Sequence, residues 1–127
     1  MWLALLLTLG ACGGSMIKVD DNVFPSDYKE DIIYQLRQQL DDPYDVRDAF
    51  IAAPVLKTSL GTTRYIACIR FNGKNKDGQY TGSKDMAAYF VTTRLTQIVN
   101  ADREMCGNAA YQPFPELQKL CRTAVCP

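Results

Sequence analysis

The run Thr63-Arg64-Tyr65-Ile66-Ala67-Cys68-Ile69-Arg70-Phe71-Asn72 alternates as a half-buried β-strand must. Successive side chains on a strand point to opposite faces, so Tyr65, Ala67, Ile69 and Phe71 share one face, and Arg64, Cys68 and Arg70 share the other. The first set is apolar and reads as a core face. A strand of this kind needs pairing partners and a cover for that face, and the flanking sequence is read for both.

Upstream, Tyr28, Ile32, Ile33, Leu36 and Leu40 recur at helical spacing and form one apolar stripe. Ser26 is the expected N-cap, with Asp27 and Glu30 in the first turn, and Asp41-Asp42-Pro43 ends the helix. Residues 46–56 form an extended run in which Pro54 predicts an edge strand or a bulge. Leu60-Gly61-Thr62 reads as a turn. Residues 73–85 read as a polar, glycine-bearing loop or long hairpin tip, and residues 86–99 as a further strand whose end could begin a helix. Cys106-Gly107-Asn108 reads as a turn. Pro115 is suited to the first position of a short helix over residues 116–121. The expected architecture is α+β: an N-terminal helix packed on a three-stranded antiparallel meander, with a short C-terminal helix and a disulfide-stapled tail.

Near the amino terminus, Leu9-Gly10-Ala11-Cys12 closes the short apolar run of residues 2–9. This run is too short to span a bilayer, which takes about 20 apolar residues. The tetrad resembles the lipobox of bacterial lipoproteins: a bulky aliphatic residue, two small residues and a cysteine. That resemblance implies that residues 1–11 are a signal peptide and that Cys12 carries the lipid. Residues 12–23, including Gly13-Gly14-Ser15, would then be a tether, and residues 24–127 a single α+β domain. The leader departs from the pattern in carrying no Lys or Arg before the apolar run. In the family, Asp after the cysteine retains a protein in the inner membrane; Gly13 at that place implies the periplasmic face of the outer membrane. Removal of an 11-residue leader from 127 residues leaves 116, the size of one domain.

Lys and Arg number 14, as do Asp and Glu, but the charge is unevenly spread. Residues 18–48 hold four basic and nine acidic side chains, net minus five; residues 57–103 hold eight and three, net plus five. The two regions could pair within the fold or orient the domain on a charged partner. Scattered basic residues do not suggest nucleic acid.

Cys68, Cys106, Cys121 and Cys126 remain after Cys12, an even count that reads as two disulfides in an exported chain. An antiparallel return of the chain favours Cys68 with Cys106, leaving Cys121 and Cys126 to close the tail; Cys68 with Cys121 or Cys126 is the competing pairing. Zinc lacks its signature, because there is no close cysteine pair and no histidine.

Catalytic candidates fare poorly. Without histidine a Ser-His-Asp triad is excluded. Ser83 and Lys84 are adjacent, so on a strand they point apart. Asp41, Asp42, Asp45 and Asp48 could supply paired carboxylates but read more simply as a helix end and an exposed turn. The segment of residues 72–78 superficially matches a calcium loop, yet Gly73 and Lys84 fall where carboxylates are required. No resident cofactor or metal is expected, nor an enzyme.

The runs Val46-Arg47-Asp48-Ala49-Phe50, Arg64-Tyr65 with Cys68-Ile69-Arg70-Phe71-Asn72, and Tyr80-x-Gly82-x-Lys84-Asp85 resemble a group of small Gram-negative envelope lipoproteins with no assigned activity. The resemblance covers roughly residues 44–117 and implies location and a compact domain. The functional expectation is a non-catalytic lipoprotein that binds an envelope protein or stabilises an envelope complex. The alternative is a small inhibitor of a cell-wall hydrolase, although the Ser-Gly-x-x-Tyr motif wanted for lysozyme inhibition is absent.

Overall fold

Six strands pair antiparallel into one sheet in the computed structural model, which describes residues 22–120. They are β1 (Asp42–Ile51), β2 (Val55–Ser59), β3 (Thr62–Lys74), β4 (Tyr80–Val91), β5 (Arg94–Asn100) and β6 (Gln112–Pro113). The order is β5-β4-β3-β1-β6, with β2 also pairing β3. The hub is β3. One edge of it pairs with β4 from Tyr65–Phe90 to Lys74–Tyr80. Its other edge is shared: β1 takes the C-terminal half and β2 the N-terminal half.

This sheet overturns the expected three-stranded meander. Residues 73–85 are not one loop, since β3 runs on to Lys74, β4 starts at Tyr80, and only the tip between them turns. Residues 86–99 are not one strand, because a hairpin at Thr92-Thr93 divides them between β4 and β5. Thr92 takes a φ of 55° there. Threonine is a strand former, so no local signal marks the reversal. Residues 46–56 are likewise two pairing segments, separated where Pro54 interrupts. The Ala52 amide still donates to the Cys68 carbonyl at 2.9 Å, so β2 continues along the same edge of β3 after the break.

On the first sheet face lies α1 (Tyr28–Gln39). Ile32 and Leu36 are fully buried against Ala67, Ile69, Phe71, Ala88, Phe90 and Ile98, with Tyr28, Ile33 and Leu40 packed around them. Burial of each large aliphatic side chain contributes about 1.5–3 kcal/mol. The helix therefore belongs to the core, as its stripe requires. Its N-cap is Asp27 rather than Ser26, with no side-chain capping bond, and Glu30 and Asp31 occupy the first turn. The Gln39 amide donates at 2.8 Å to the Ile98 carbonyl on β5.

Two irregularities shape β1. Its register against β3 shifts between Asp42 and Arg47 and again between Arg47 and Phe50, and Asp45 and Asp48 take φ values of 55° and 52°. Aspartate tolerates this left-handed region better than most residues, which explains its recurrence at the bulges. The Asp45 carboxylate sits 3.5 Å from the Lys74 ammonium, and the Tyr80 hydroxyl donates to the Asp45 carbonyl at 2.7 Å.

The C-terminal segment covers both faces. The short α2 (Arg103–Cys106), capped by Asp102 through the Met105 amide, lies on the second face with Ile66, Cys68 and Ala87. After β6 pairs with Phe50 and Ile51, α3 (Pro115–Gln118) begins at the expected proline and returns Phe114 and Leu117 to the first core. Among the described residues no helix is long and apolar enough to cross a membrane.

Candidate functional site

The second sheet face carries the features that packing alone leaves unexplained. Its anchor is the disulfide between Cys68 and Cys106, with α-carbons 5.8 Å apart. Of the two expected pairings at Cys68, this is the one formed. Cys12, Cys121 and Cys126 lie outside the described residues, so lipidation and the tail bridge do as well.

Beside the bridge, Arg70 and Asp85 face each other across β3 and β4. Arg70 Nε and Nη2 donate to Asp85 Oδ1 and Oδ2 at 2.7 and 3.2 Å. The Tyr111 hydroxyl donates to the same Oδ1 at 3.1 Å, and the Arg70 guanidinium lies over the Tyr111 ring at 4.3 Å. The bonds from Arg70, helped by Tyr111, hold the Asp85 carboxyl below its ordinary range against the opposing effect of burial. Burial, then the Asp85 charge, pushes the Tyr111 phenol above its own range. Arg70 Nε and Nη2, both Asp85 carboxylate oxygens and the Tyr111 hydroxyl are each bonded to another member of this triad. It is a clasp that holds Tyr111 against β3 and β4.

The four acids of residues 41–48 do not share one environment: Asp41 and Asp48 are exposed, Asp42 is buried and Asp45 is half-buried. Asp45 pairs with Lys74, and Asp42 Oδ1 accepts from the Tyr44 amide at 3.1 Å. Ser83 and Lys84 are neighbours on β4, paired with Asn72 and Phe71 respectively. In the β3–β4 tip, Asn75 Oδ1 accepts from the Asp77 and Gln79 amides at 2.9 and 3.0 Å. That oxygen serves the turn itself. Among the described residues no three acidic or cysteine side chains gather as a metal group.

What remains open is β2. Among the described residues it pairs with β3 alone, and β6 pairs with β1, at Phe50 and Ile51, rather than with β2. Val55 and Leu56 are each 49% exposed, on opposite faces, and Leu60 at the hairpin tip is 103% exposed. Leu60 also takes a φ of 52°, followed by Gly61 at 77°. Asn or Asp before Gly is what such a two-residue hairpin turn favours. A leucine there contributes no packing and costs backbone strain, so neither core nor turn accounts for it.

Beside β2 on the second face, a cleft of about 590 Å³ is lined by Ala52, Val55, Lys57, Ile66, Ala109 and Gln112, with Cys68 of the disulfide at its wall. A shallower hollow of about 300 Å³ adjoins it, between Lys57, Arg64, Tyr89 and Gln97. Lys57 and Arg64 stand directly opposite each other on β2 and β3. The Lys57 ammonium donates to the Met105 carbonyl across the face. On the first face, Leu56 is paired with Tyr65, whose ring meets half-exposed Phe24 edge-on at 5.5 Å.

The edge residues Val55, Leu56, Lys57, Leu60 and Arg64 were not foreseen as a site. The one local signal was a leucine in a turn next to glycine. Comparison with protein-family models, curated proteins and solved structures finds no match to this chain. Among the described residues, fold and site define a small antiparallel-sheet domain whose β2 edge is open and flanked by apolar side chains.

Proposed function

We propose that this chain is a non-catalytic, membrane-tethered protein-binding module of the bacterial envelope, with β2 and the cleft beside the disulfide as its contact surface. The observation that carries the binding role is the edge of β2, which among the described residues is unpaired. Val55 and Leu56 are half-exposed there, and Leu60 is fully exposed in a strained backbone conformation. An open edge flanked by apolar side chains is a liability that proteins ordinarily blunt, and its retention fits a surface that a partner covers. The lipobox resemblance at Leu9-Gly10-Ala11-Cys12 supports the tethered location, at the periplasmic face of the outer membrane. An exported setting also suits the Cys68–Cys106 bridge, since disulfides persist in oxidising compartments.

The location is tested by mass spectrometry of the protein taken from membranes, where Cys12 should carry acyl chains and Cys12→Ser should release the protein. A soluble, unmodified wild type would end that part of the reading. Binding is tested by affinity purification from solubilised envelopes. A stoichiometric partner retained by the wild type and lost on Leu56→Glu with Leu60→Glu supports the module. No retained partner, or retention indifferent to both substitutions, refutes it. A lysozyme as the retained partner turns the reading to hydrolase inhibition.

A further inference from the structure

We infer that the outer edge of β2 is a strand-addition site for an extended segment of a partner protein. That segment would set acidic side chains toward Lys57 and Arg64, and apolar ones beside Leu56. This deepens the protein-binding reading and rests on it.

Backbone geometry supplies the first support. Ser59 and Thr62 flank the two-residue turn and are paired, so they form the closing hydrogen-bonded pair of the hairpin. Antiparallel pairs alternate, which makes Lys57–Arg64 and Val55–Ile66 hydrogen-bonded pairs too. Leu56 and Thr58 therefore direct their N–H and C=O groups away from β3, two donors and two acceptors spaced to receive one more strand. Strand addition uses groups of this kind for affinity and side-chain pockets for selectivity.

Charge chooses the occupant. Like charges opposite each other on paired strands are destabilising, and Lys57 faces Arg64 in this way. The ion pairs found among the described residues are Lys29–Glu116, Arg70–Asp85 and Lys74–Asp45, and none neutralises either cation. Glu104 shares the cleft with Lys57 but forms no ion pair with it. An edge lysine is often a guard against pairing, but this one is drawn across the sheet to the Met105 carbonyl. A second copy of the chain suits the edge poorly, because the antiparallel register that pairs all five β2 residues sets Lys57 against its own copy. An acidic strand meets both cations on one face. On the other, its alternate residues lie beside the half-exposed Leu56.

The test uses the full-length chain with labelled amides, in detergent micelles where it carries lipid. The probe is an acetylated and amidated peptide of four Val-Glu repeats, with four Val-Lys repeats as the control. Binding of the Val-Glu peptide should shift the Leu56 and Thr58 amides and slow their hydrogen exchange at least tenfold. The amides of the opposite edge, on β5, should be unchanged. Lys57→Glu combined with Arg64→Glu should weaken the Val-Glu peptide at least tenfold and favour the Val-Lys peptide. Leu56→Pro, which removes an outward N–H and no ladder bond, should abolish binding; if that variant does not fold, the charge reversal decides. Equal binding of the two peptides overturns the proposal, as does no binding at millimolar concentration. It also falls if Leu56 and Thr58 are already protected in the free chain, the sign of an edge filled by its own termini or a second copy. An envelope partner retained by the wild type and lost on Leu56→Glu with Leu60→Glu, while the peptide fails, would sink strand addition but leave the binding-module reading standing.

Discussion

Reduction of the Cys68–Cys106 bridge should cost this domain a large part of its stability. The bridge joins residues 38 apart in sequence. In the chain-entropy model a closed loop of that size restricts the unfolded chain enough to contribute about 4 kcal/mol. A domain of about 100 residues melts with an entropy near 0.2 kcal/mol/K, so 4 kcal/mol corresponds to a fall of roughly 15–20 °C in melting temperature. The clean experiment leaves only this bridge in play: a Cys12→Ser, Cys121→Ser, Cys126→Ser background, melted by calorimetry with and without reductant. Reduction keeps both sulfurs in place, so it creates no cavity at two buried positions, which Cys→Ala substitution would. Native-state hydrogen exchange adds a local readout. The α2 segment packs on Ile66, Ala87 and the sulfurs themselves, so its Cys106 and Gly107 amides should lose protection first. A melting shift below about 5 °C, near 1 kcal/mol, would refute the reasoning. It would mean that the clasp of Arg70, Asp85 and Tyr111 closes the loop without the bridge.

Leu36→Ala removes a fully buried side chain from the α1 stripe and should cost about 2–5 kcal/mol in denaturant unfolding, whereas Gln38→Ala, on the exposed side, should be nearly silent; equal effects would contradict the packing. Asp85→Asn should lower stability at pH 7 by roughly 1–2 kcal/mol, toward the lower value because the Arg70 side chain is 40% exposed. Because Asp85 titrates lower folded than unfolded, its contribution is present above pH 3.8 and is lost as pH falls through the folded value; the gap between wild type and variant should therefore close in acid, and a constant gap would refute the assignment. Leu60→Asn should raise the melting temperature by relieving backbone strain, by about 0.5–1 kcal/mol, while weakening any partner that contacts the tip; lower stability would show that Leu60 packs after all.

Several elements were legible in the residues alone because their signals are local. The α1 stripe, the division of β3 into a Tyr65-Ala67-Ile69-Phe71 core face and an Arg64-Cys68-Arg70 face, the turn at Leu60-Gly61 and the proline start of α3 each follow from periodicity or dihedral preference within a few residues. The Cys68–Cys106 pairing was favoured by the antiparallel return of the chain, and the structure forms it. Strand number was not legible. Lys74, Ser83 and Lys84 are polar and read as loop, yet their backbones pair because β3 and β4 extend beyond the core. Thr92-Thr93 reverses the chain with strand-forming residues, and Asp45 and Asp48 resemble turn residues while sitting in bulges within β1. The open edge of β2 is the clearest case. Nothing within Val55–Ser59 states that its outer side is unpaired among the described residues; that depends on β6, more than fifty residues away along the chain, pairing only Phe50 and Ile51 of β1. Sequence patterns determine which face of a strand is buried, because that is a property of its own side chains. Which edge stays unpaired is decided by where every other strand goes, and only the tertiary structure holds that information.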